Sequence, residues 1–318
     1  IEGAVPGDVV DVWISKNKKD WAEGKATQVK ELSKERTDAF CKHFGTCGGC
    51  KWQMLPYEKQ LQYKQQEVAQ NLKRIGRVDV ADMLPIVGAD ETTAYRNKLE
   101  FTFSNKRYLT DDEIKNLPPP DADGNSRAGQ EGAMGFHVPR IFDKIIDIHE
   151  CYLMDDVNNK IRNSIRDFVK ANKYSYYDIK QHTGWLRNII IRYCNTGELM
   201  VNVCLGYEEE VERKKLLDFI LETIPNITTL LYTINPKWND SIYDLEPIVY
   251  FGKGYAIEQL ENFKFKIGPK SFFQTNTRQG EKLYQITRDF AGLTGNEVVY
   301  DLYCGTGSIG IFVSKHAK

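Results

Sequence analysis

The sequence predicts an α/β protein of several domains, and three observations support this. The chain has 318 residues, which is long for one domain, and its 41% hydrophobic and 27% charged residues are ordinary for a protein with a packed core. Strand-like and helix-like stretches alternate through its middle, which is typical of a mixed sheet with helices. A glycine-rich turn follows an apolar run near the last residues, as in nucleotide-binding α/β domains.

The composition limits which cellular compartment and which binding partners we expect for this protein. No apolar run is long enough to cross a bilayer, and IEGAVPGDVV lacks the basic and apolar parts of a signal peptide. Seven cysteines without an export signal favour a reducing, cytoplasmic setting over a disulfide framework. The formal net charge is −1, so a nucleic-acid partner would require a local basic patch. The chain begins with Ile1 rather than methionine, which we interpret as a start inside a larger protein.

Residues 1 to about 40 predict a small β unit. A Pro-Gly turn precedes alternating apolar positions in AVPGDVVDVWI, and a lysine-rich stretch follows. That stretch is either the solvated side of a hairpin or an RNA-facing surface. A helix is then predicted from Pro56, which suits a first turn, to just before Gly76, which suits the position past the end. Its apolar residues recur at helical spacing, so we expect one buried face.

The middle of the chain predicts one mixed sheet with helices. The predicted strands lie in KLEFTFSN, RIFDKIIDI, the two halves of RNIIIRYCNTGELMVNVCLG, and TTLLYTI. Helices are expected through Val157 to Phe168 and around Val211 to Ile220. The stretch LPPPDADGNSRAGQEGAMGF breaks all periodicity and predicts an exposed loop.

The last segment changes pattern again. A helix is predicted from about Gln279 to Phe290, and EVVYDLYCGTGSIGIFVSKHAK then predicts an apolar strand, a glycine-rich turn and the start of a helix. One strand cannot make a sheet. We therefore expect either that partner strands come from elsewhere or that the chain is a fragment.

Three cysteines crowd the stretch CKHFGTCGGC, as Cys41, Cys47 and Cys50. The intervening glycines allow sharp turns, and three thiolates at one point repel each other unless a cation neutralises them. A metal centre is therefore the economical interpretation, against three unliganded cysteines in a turn. The best candidate for a fourth ligand is Cys151, between a strand and a helix, with His43 as its competitor. Sulfur ligands fit zinc or an iron–sulfur cluster, and the spacing does not decide between them.

The other cysteines have different expected roles. Cys194 and Cys204 lie in predicted strands, where we expect them to be small buried hydrophobic residues. Cys304 belongs to the glycine turn, and its expected role there is packing.

The glycine turn places Asp301 at the end of the apolar run, with Gly305, Gly307 and Gly310 in a G-x-G-x-x-G spacing. Glycines let the backbone approach a ligand, and the following helix N-terminus offers unpaired N–H groups. The ligand alternatives are a dinucleotide and S-adenosylmethionine. An acid just before the first glycine suits a ligand with a cationic sulfonium and an amino-acid part better than a pyrophosphate.

Several stretches together resemble one family. They are CKHFGTCGGCKWQ, YRNKLEF, GFH followed by IIDIHEC, GWLRNIIIR, KSFFQTN and DLYCGTGSIG, in this order along nearly the whole chain. The combination resembles the RNA uracil-C5 methyltransferases that use S-adenosylmethionine, in the branch with a four-iron cluster and an N-terminal TRAM domain. It is far more specific than any single motif.

The resemblance implies an α/β multidomain fold in four parts. They are a partial TRAM (OB-like) β-barrel in residues 1–40, a mixed α/β central domain with the Fe–S site in 41–55 and 85–265, a helical segment packing on the methyltransferase domain in 56–84, and the N-terminal part of a Rossmann-like SAM-dependent methyltransferase domain in 266–318.

The resemblance also implies the site residues. Cys41, Cys47, Cys50 and Cys151 would bind a [4Fe–4S] cluster that supports structure and RNA binding rather than redox chemistry. The residues expected to contact S-adenosylmethionine are Gln274, Asp301, Tyr303, Gly305, Gly307 and Ser308. Without the resemblance, Gln274 would be interpreted as a polar cap of the helix that starts near Thr275.

The implied activity is methylation of C5 of a uridine in RNA. The favoured substrate is 23S ribosomal RNA, since the related bacterial transfer-RNA enzymes generally lack the cluster. A cysteine thiolate adds to C6 of the uracil, C5 takes the methyl group, and a general base removes the C5 proton. The nucleophile and the base belong to C-terminal motifs that this chain does not contain, so we expect no catalytic residue here and no activity of these residues alone.

Two alternatives from other classes stay open. One is a non-catalytic RNA-binding iron–sulfur protein, in which the glycine turn has lost its role. The other is a zinc-stapled structural module. In each case a monomer is the default expectation, and no membrane partner is expected.

Overall fold

The structure is a computed structural model, and it describes residues 1–119, Gly129 and residues 131–318. The chain divides into two compact units, Ile1–Thr92 (unit 1) and Thr93–Lys318 (unit 2). Among the helices in the described ranges, none combines the length and the apolar character needed to cross a bilayer. Half of the loop predicted in LPPPDADGNSRAGQEGAMGF lies outside the described residues. Its last four residues, 133–136, begin a strand and three of them are buried, so the prediction of an exposed loop is wrong there.

A twisted hairpin forms the first part of unit 1. Its strands β1 (Val9–Asn17) and β2 (Ala22–Glu31) pair antiparallel, and register shifts along the pair increase the twist. The carboxylate of Asp8, just before β1, accepts hydrogen bonds from Nη2 of Arg36 at 2.6 Å and from its Nε at 2.8 Å. These bonds hold the pKa of Asp8 well below its usual range. The β unit predicted for this region is confirmed.

Helix α1 (Tyr57–Asn71) begins directly after Pro56 and continues as a π-helical turn, Leu72–Gly76. Arg77 ends it in the left-handed conformation, with φ of 53°. The predicted helix is confirmed, but the predicted buried face is wrong, because no residue of α1 is buried. The segment that follows bonds to the side chain of Gln65 through the carbonyl of Leu84 and the N–H of Ile86. Val68 and Leu72 of the apolar stripe stay exposed.

Unit 2 is built on a seven-stranded sheet. Its strands are β3 (Lys98–Ser104), β4 (Ala133–Val138), β5 (Ile141–Asp147), β6 (Leu186–Tyr193), β7 (Leu199–Leu205), β8 (Thr229–Ile234) and β9 (Ile248–Gly252). Their order in the sheet is β5-β4-β3-β6-β7-β8-β9. Only the β7–β8 pair is parallel among these neighbours, so the mixed sheet predicted for the middle of the chain is confirmed.

Three helices accompany this sheet: α2 (Asp111–Lys115), α3 (Val157–Ala171) and α4 (Glu210–Thr223). Helix α4 connects β7 to β8, as a parallel pair of strands requires. The helices predicted at α3 and α4 are confirmed. The alternation predicted in KLEFTFSN is also confirmed, because Leu99 and Phe101 of β3 are buried.

The central strands are buried on both faces. Every residue of β7 is buried, and so is every residue of β6 except the last. Cys194 and Cys204 are 2% and 1% exposed, which confirms their predicted interior position. Burial raises the pKa of the Cys204 thiol to about 12 and raises the pKa of the Cys194 thiol as well.

The last helices of the chain follow a second hairpin. Strands β10 (Ala256–Leu260) and β11 (Phe263–Ile267) precede α5 (Thr277–Ala291), α6 (Ser308–Val313) and a 3-10 turn, Ser314–His316. Hairpin and helices share an apolar cluster whose buried members are Leu260, Phe265, Ile267, Phe273, Tyr284 and Phe312. The helix predicted around residues 279–290 is confirmed.

The apolar strand predicted in EVVYDL does not form in this chain. Val298, Tyr300 and Leu302 are 64%, 81% and 81% exposed, and no strand is assigned over residues 296–302. A strand needs a neighbour that bonds its backbone groups, and none of the described strands pairs with this run. The prediction of a strand is therefore wrong here, for the reason that one strand cannot make a sheet.

Candidate cofactor site and cysteine loop

The glycine turn forms as predicted and opens a helix. Gly305 and Gly307 lie in the left-handed region, with φ of 53° and 70°, a conformation that favours glycine. The N–H of Gly307 donates to the carbonyl of Cys304 at 2.7 Å, and α6 starts at Ser308. The first N–H groups of a helix have no partner inside it, so they are suited to bind a ligand.

The residues just before this turn differ in exposure. Asp301 is half-buried, and its Oδ2 accepts a hydrogen bond from the N–H of Gly310 at 3.2 Å, which ties the apolar run to the first turn of α6. Tyr303 is 97% exposed. Cys304 is also exposed, so the packing role expected for it is wrong. Tyr303 and Cys304 are therefore presented to solvent.

Ser308 anchors α6 on α5. Its hydroxyl lies 2.8 Å from the hydroxyl of Tyr284, and both groups are buried. Phe312, one turn further along α6, is fully buried and meets the Tyr284 ring edge-on, with ring centroids 5.7 Å apart. These contacts hold the start of α6 against α5, and the Ser308 side chain faces the interior.

The backbone around Gln274 is fixed by one buried amide. Asn97, just before β3, is 4% exposed, and its Nδ2 lies 2.9 Å from the carbonyl oxygen of Gln274 and 2.9 Å from Oγ1 of Thr277. The backbone N–H of Asn97 also donates to the carbonyl of Thr275 at 2.7 Å. A single residue thus holds three of the four positions from 274 to 277.

Helix α5 begins with a side-chain cap at Asn276. Its Oδ1 accepts a hydrogen bond from the N–H of Gln279 at 3.0 Å. The alternative interpretation of Gln274 as the cap is therefore wrong, and its predicted role toward a cofactor stays open.

Glu258 completes the network around Asn97. It is fully buried, because the alternation along β10 turns it inward together with Ala256 and Leu260. Its Oε1 accepts from the N–H of Asn195 at 2.9 Å, and its Oε2 lies 3.1 Å from Nδ2 of Asn97. Burial raises the pKa of the Glu258 carboxyl, although these hydrogen bonds act in the opposite direction.

Sequence reasoning missed the residues that support the Gln274 segment. Besides Asn97 and Glu258, Arg192 of β6 is 1% exposed and donates from Nη2 to the carbonyl of Ser271 at 3.1 Å. One signal was present, since AIEQL places a charged residue at an inward position of an alternating strand. The partner of that charge, far away along the chain, carried no signal.

The cysteine loop turns tightly, as its glycines predict. Cys41, Cys47 and Cys50 are all half-buried. The N–H of Cys47 donates to the carbonyl of His43 at 2.8 Å, and the N–H of Gly49 lies 3.4 Å from Sγ of Cys47. The loop therefore directs a backbone N–H at the sulfur of Cys47.

Cys151 lies between β5 and α3, as predicted, and is 7% exposed. Its N–H donates to Oδ1 of Asn159 at 2.8 Å, and its carbonyl accepts from Nδ2 of Asn158 at 3.3 Å. Arg162, fully buried in α3, donates to Oδ1 of Asn158 at 2.8 Å and to Oδ1 of Asn159 at 2.7 Å. The first turns of α3 therefore fix the backbone of Cys151.

The metal centre expected from the cysteines is not shown. Within the part of the chain that the structure describes, no three or more His, Cys, Asp or Glu side chains are grouped so that they could hold a metal ion. The loop cysteines belong to unit 1 and Cys151 belongs to unit 2. By their chemistry the four thiols fit an iron–sulfur cluster or zinc.

The fold and the glycine turn define a class of protein. A glycine-rich turn that opens a helix is a feature of α/β proteins that bind nucleotide-containing cofactors. The strand that precedes such a turn in those proteins is not formed here. Its supporting network of Asn97, Glu258 and Arg192 fixes the neighbouring Gln274 segment.

Comparison with known sequences gives the family. No protein-family model matches the chain. An uncharacterised RNA methyltransferase of Bacteroides thetaiotaomicron is 50% identical over 317 residues, which cover 99% of this chain and 68% of that protein. Another, of Porphyromonas gingivalis, is 46% identical over 316 residues, which cover 99% and 67%. The chain therefore belongs to the RNA methyltransferase family, a family of enzymes.

A solved structure confirms the mixed α/β fold. The crystal structure of Pyrococcus abyssi tRNA (uracil-54, C5)-methyltransferase in complex with S-adenosyl-L-homocysteine matches with a TM-score of 0.68. The match covers 98% of this chain and 65% of that chain at 23% identity, so it shows the fold. The chain spans about two thirds of the length of the relatives that it matches.

Asn97→Ala should destabilise unit 2, because it removes a buried donor and leaves its acceptors unpaired. We expect the free energy of unfolding, measured by urea denaturation, to fall by about 1–3 kcal/mol. The control is Asn116→Ala, which removes an exposed amide bonded to the carbonyl of Asp112 and should change that free energy by less than about 0.5 kcal/mol. Equal effects of the two substitutions would contradict the role of Asn97.

Glu258→Gln should change how stability depends on pH. Because the pKa of Glu258 is raised in the folded state, its stabilising contribution is present below the ordinary carboxyl range and is lost as the pH rises through the folded pKa. The unfolding free energy of the wild type, minus that of the variant, should therefore fall from acidic to neutral pH in urea titrations. Glu222→Gln, at an exposed position of α4, is the control. Parallel pH profiles of the wild type and Glu258→Gln would refute this role.

Proposed function

We propose that this chain is part of an enzyme that uses S-adenosyl-L-methionine to methylate C5 of a uridine in RNA, and that the RNA is 23S ribosomal RNA. The observation that carries the proposal is the relationship to RNA methyltransferases over 99% of the chain at 50% identity. The fold shared with a uracil-C5 methyltransferase solved with S-adenosyl-L-homocysteine supports the reaction class.

The cofactor residues in this proposal are Gln274, Asp301, Tyr303, Gly305, Gly307 and Ser308. S-adenosyl-L-methionine supplies an electrophilic methyl group when bound. Gly305 and Gly307, both with positive φ and no side chain, let the backbone come close to it. Asn97 holds the backbone carbonyl of Gln274 in place, so little backbone freedom remains to be lost there on binding.

The reaction follows from the weak nucleophilicity of C5 of uracil. A cysteine thiolate would form a bond to C6, and the electron pair of the C5–C6 double bond would then be available at C5 to take the methyl group, as the bond between that group and the sulfonium sulfur breaks and S-adenosyl-L-homocysteine leaves. A general base then takes the C5 proton, the C6–S bond breaks, and the double bond is restored. The target base must leave its stack to reach the thiolate.

None of the cysteines in this chain suits the nucleophile. Cys194 and Cys204 are buried with raised pKa values, so they stay protonated at neutral pH. Cys304 belongs to the glycine turn, and the remaining four are the proposed cluster ligands. We therefore propose that the nucleophilic cysteine and the general-base glutamate are not carried by these 318 residues.

The metal centre belongs to the same proposal. Cys41, Cys47, Cys50 and Cys151 would hold a [4Fe–4S] cluster with a role in structure and RNA binding. The rigid backbone of Cys151 and the N–H directed at Cys47 sulfur support this ligand set. Zinc is the alternative that these ligands also fit.

The N-terminal hairpin would then be the TRAM part of an RNA-binding surface. Trp13 and Trp21 are 58% and 48% exposed, and Nζ of Lys16 lies 5.1 Å from the centre of the Trp21 ring. Exposed aromatic rings beside lysines suit stacked bases and phosphates. We also propose domain boundaries at residues 40, 55, 84 and 265. The protein is proposed to be a cytoplasmic monomer.

Anaerobically purified chain should contain about four iron atoms per polypeptide by elemental analysis, as a [4Fe–4S] cluster requires. Cys47→Ser should lose that iron, because one thiolate ligand is removed. Cys304→Ser, at an exposed cysteine outside the proposed ligand set, is the matched control and should keep it. Stoichiometric zinc, or no metal after anaerobic iron–sulfide reconstitution, would overturn the cluster.

Deletion of the gene in its host should remove one 5-methyluridine from 23S ribosomal RNA, detected by mass spectrometry of nuclease digests. Loss of a transfer-RNA methyluridine instead would contradict the ribosomal substrate. Survival of every 5-methyluridine in both RNAs would favour the non-catalytic RNA-binding alternative.

A further inference from the structure

The β10–β11 hairpin has two chemically different faces. Its inner face buries Glu258 together with apolar residues that share one cluster with Tyr284 of α5 and Phe312 of α6. On the outer face, Lys264 and Lys266 of β11 are exposed, and the residues opposite them in β10 are the uncharged Gln259 and Ile257. We call Lys253, Tyr255, Lys264 and Lys266 the lysine face.

The charge of the lysine face is largely uncompensated. Lys264 and Lys266 have no carboxylate within ion-pair distance in the part of the chain that the structure describes. The nearby acids are engaged elsewhere, since Glu258 is buried on the inner face and Glu261 pairs with Arg288 at 3.0 Å. In a chain with a net charge of −1, this is a local positive surface.

An aromatic ring lies within the same surface. Nζ of Lys253 is 4.8 Å and Nζ of Lys266 is 5.0 Å from the centre of the half-buried Tyr255 ring. Lys253 also pairs with Glu198 at 2.6 Å, which fixes its side chain. Proteins hold single-stranded nucleic acid with surfaces that combine positively charged side chains and aromatic rings.

We propose that the lysine face binds the phosphate backbone of the RNA substrate, an inference that rests on the proposed function. The inner face of the same hairpin buries Phe312 of α6, so the hairpin rigidly connects this surface to the glycine turn. RNA held on the outer face is thereby placed in a fixed relation to the cofactor turn.

The test measures binding of a fluorescein-labelled single-stranded oligouridine by anisotropy at several salt concentrations. For Lys264→Ala/Lys266→Ala, the slope of log K against log salt should become shallower by about 1.4, because each phosphate contact contributes about 0.7 on single strands. Lys264→Arg/Lys266→Arg should keep the wild-type slope. Lys214→Ala/Lys215→Ala removes the same charge from exposed positions of α4 and is the matched control.

Two results would overturn the inference, and they are distinguishable. If the wild type binds the RNA and the alanine pair at 264 and 266 leaves the slope unchanged, the lysines only protect the hairpin edge from pairing with other strands. The proposed function would then stand. If the wild type does not bind RNA at all, the RNA substrate fails together with this surface.

Discussion

The buried amide of Asn97 is the contact on which the candidate site depends. In the protein interior, an amide without partners costs free energy, and so do the carboxylate and carbonyls that it serves. Asn97 therefore sets the positions of β10, through Glu258, and of the start of α5, through Thr277, at the same time. The Gln274 segment lies between these two elements and takes its position from the same network.

The sequence was most informative where neighbours along the chain decide the structure. Alternation in KLEFTFSN predicted β3, and the Asn-Thr-Gly turn predicted the β6–β7 hairpin, because both depend on residues a few positions apart. The stripe of α1 and the run at Val298 failed for a common physical reason. An apolar pattern shows that a surface can be buried, but it does not show what lies against it.

Within the candidate site, too, local sequence predicted some features and not others. The turn at Gly305 and Gly307 could be predicted, since left-handed backbone favours glycine. The contacts of Asn97 and Arg192 could not, because a buried polar side chain reveals its importance only through partners that are distant along the chain. The cysteine spacing predicted the tight loop, while the grouping of Cys151 with that loop could not be predicted from spacing, because Cys151 lies far away along the chain.

Sequence separation in the Asn97 network has a kinetic consequence. The partners of Asn97 lie 161 to 180 positions further along the chain, and contacts of such high contact order form slowly because a long loop must close first. Hairpins such as β6–β7 can form early from local contacts. The Gln274 segment can therefore be fixed only after its distant partner has been brought to it, so the candidate site should form later than the local hairpins.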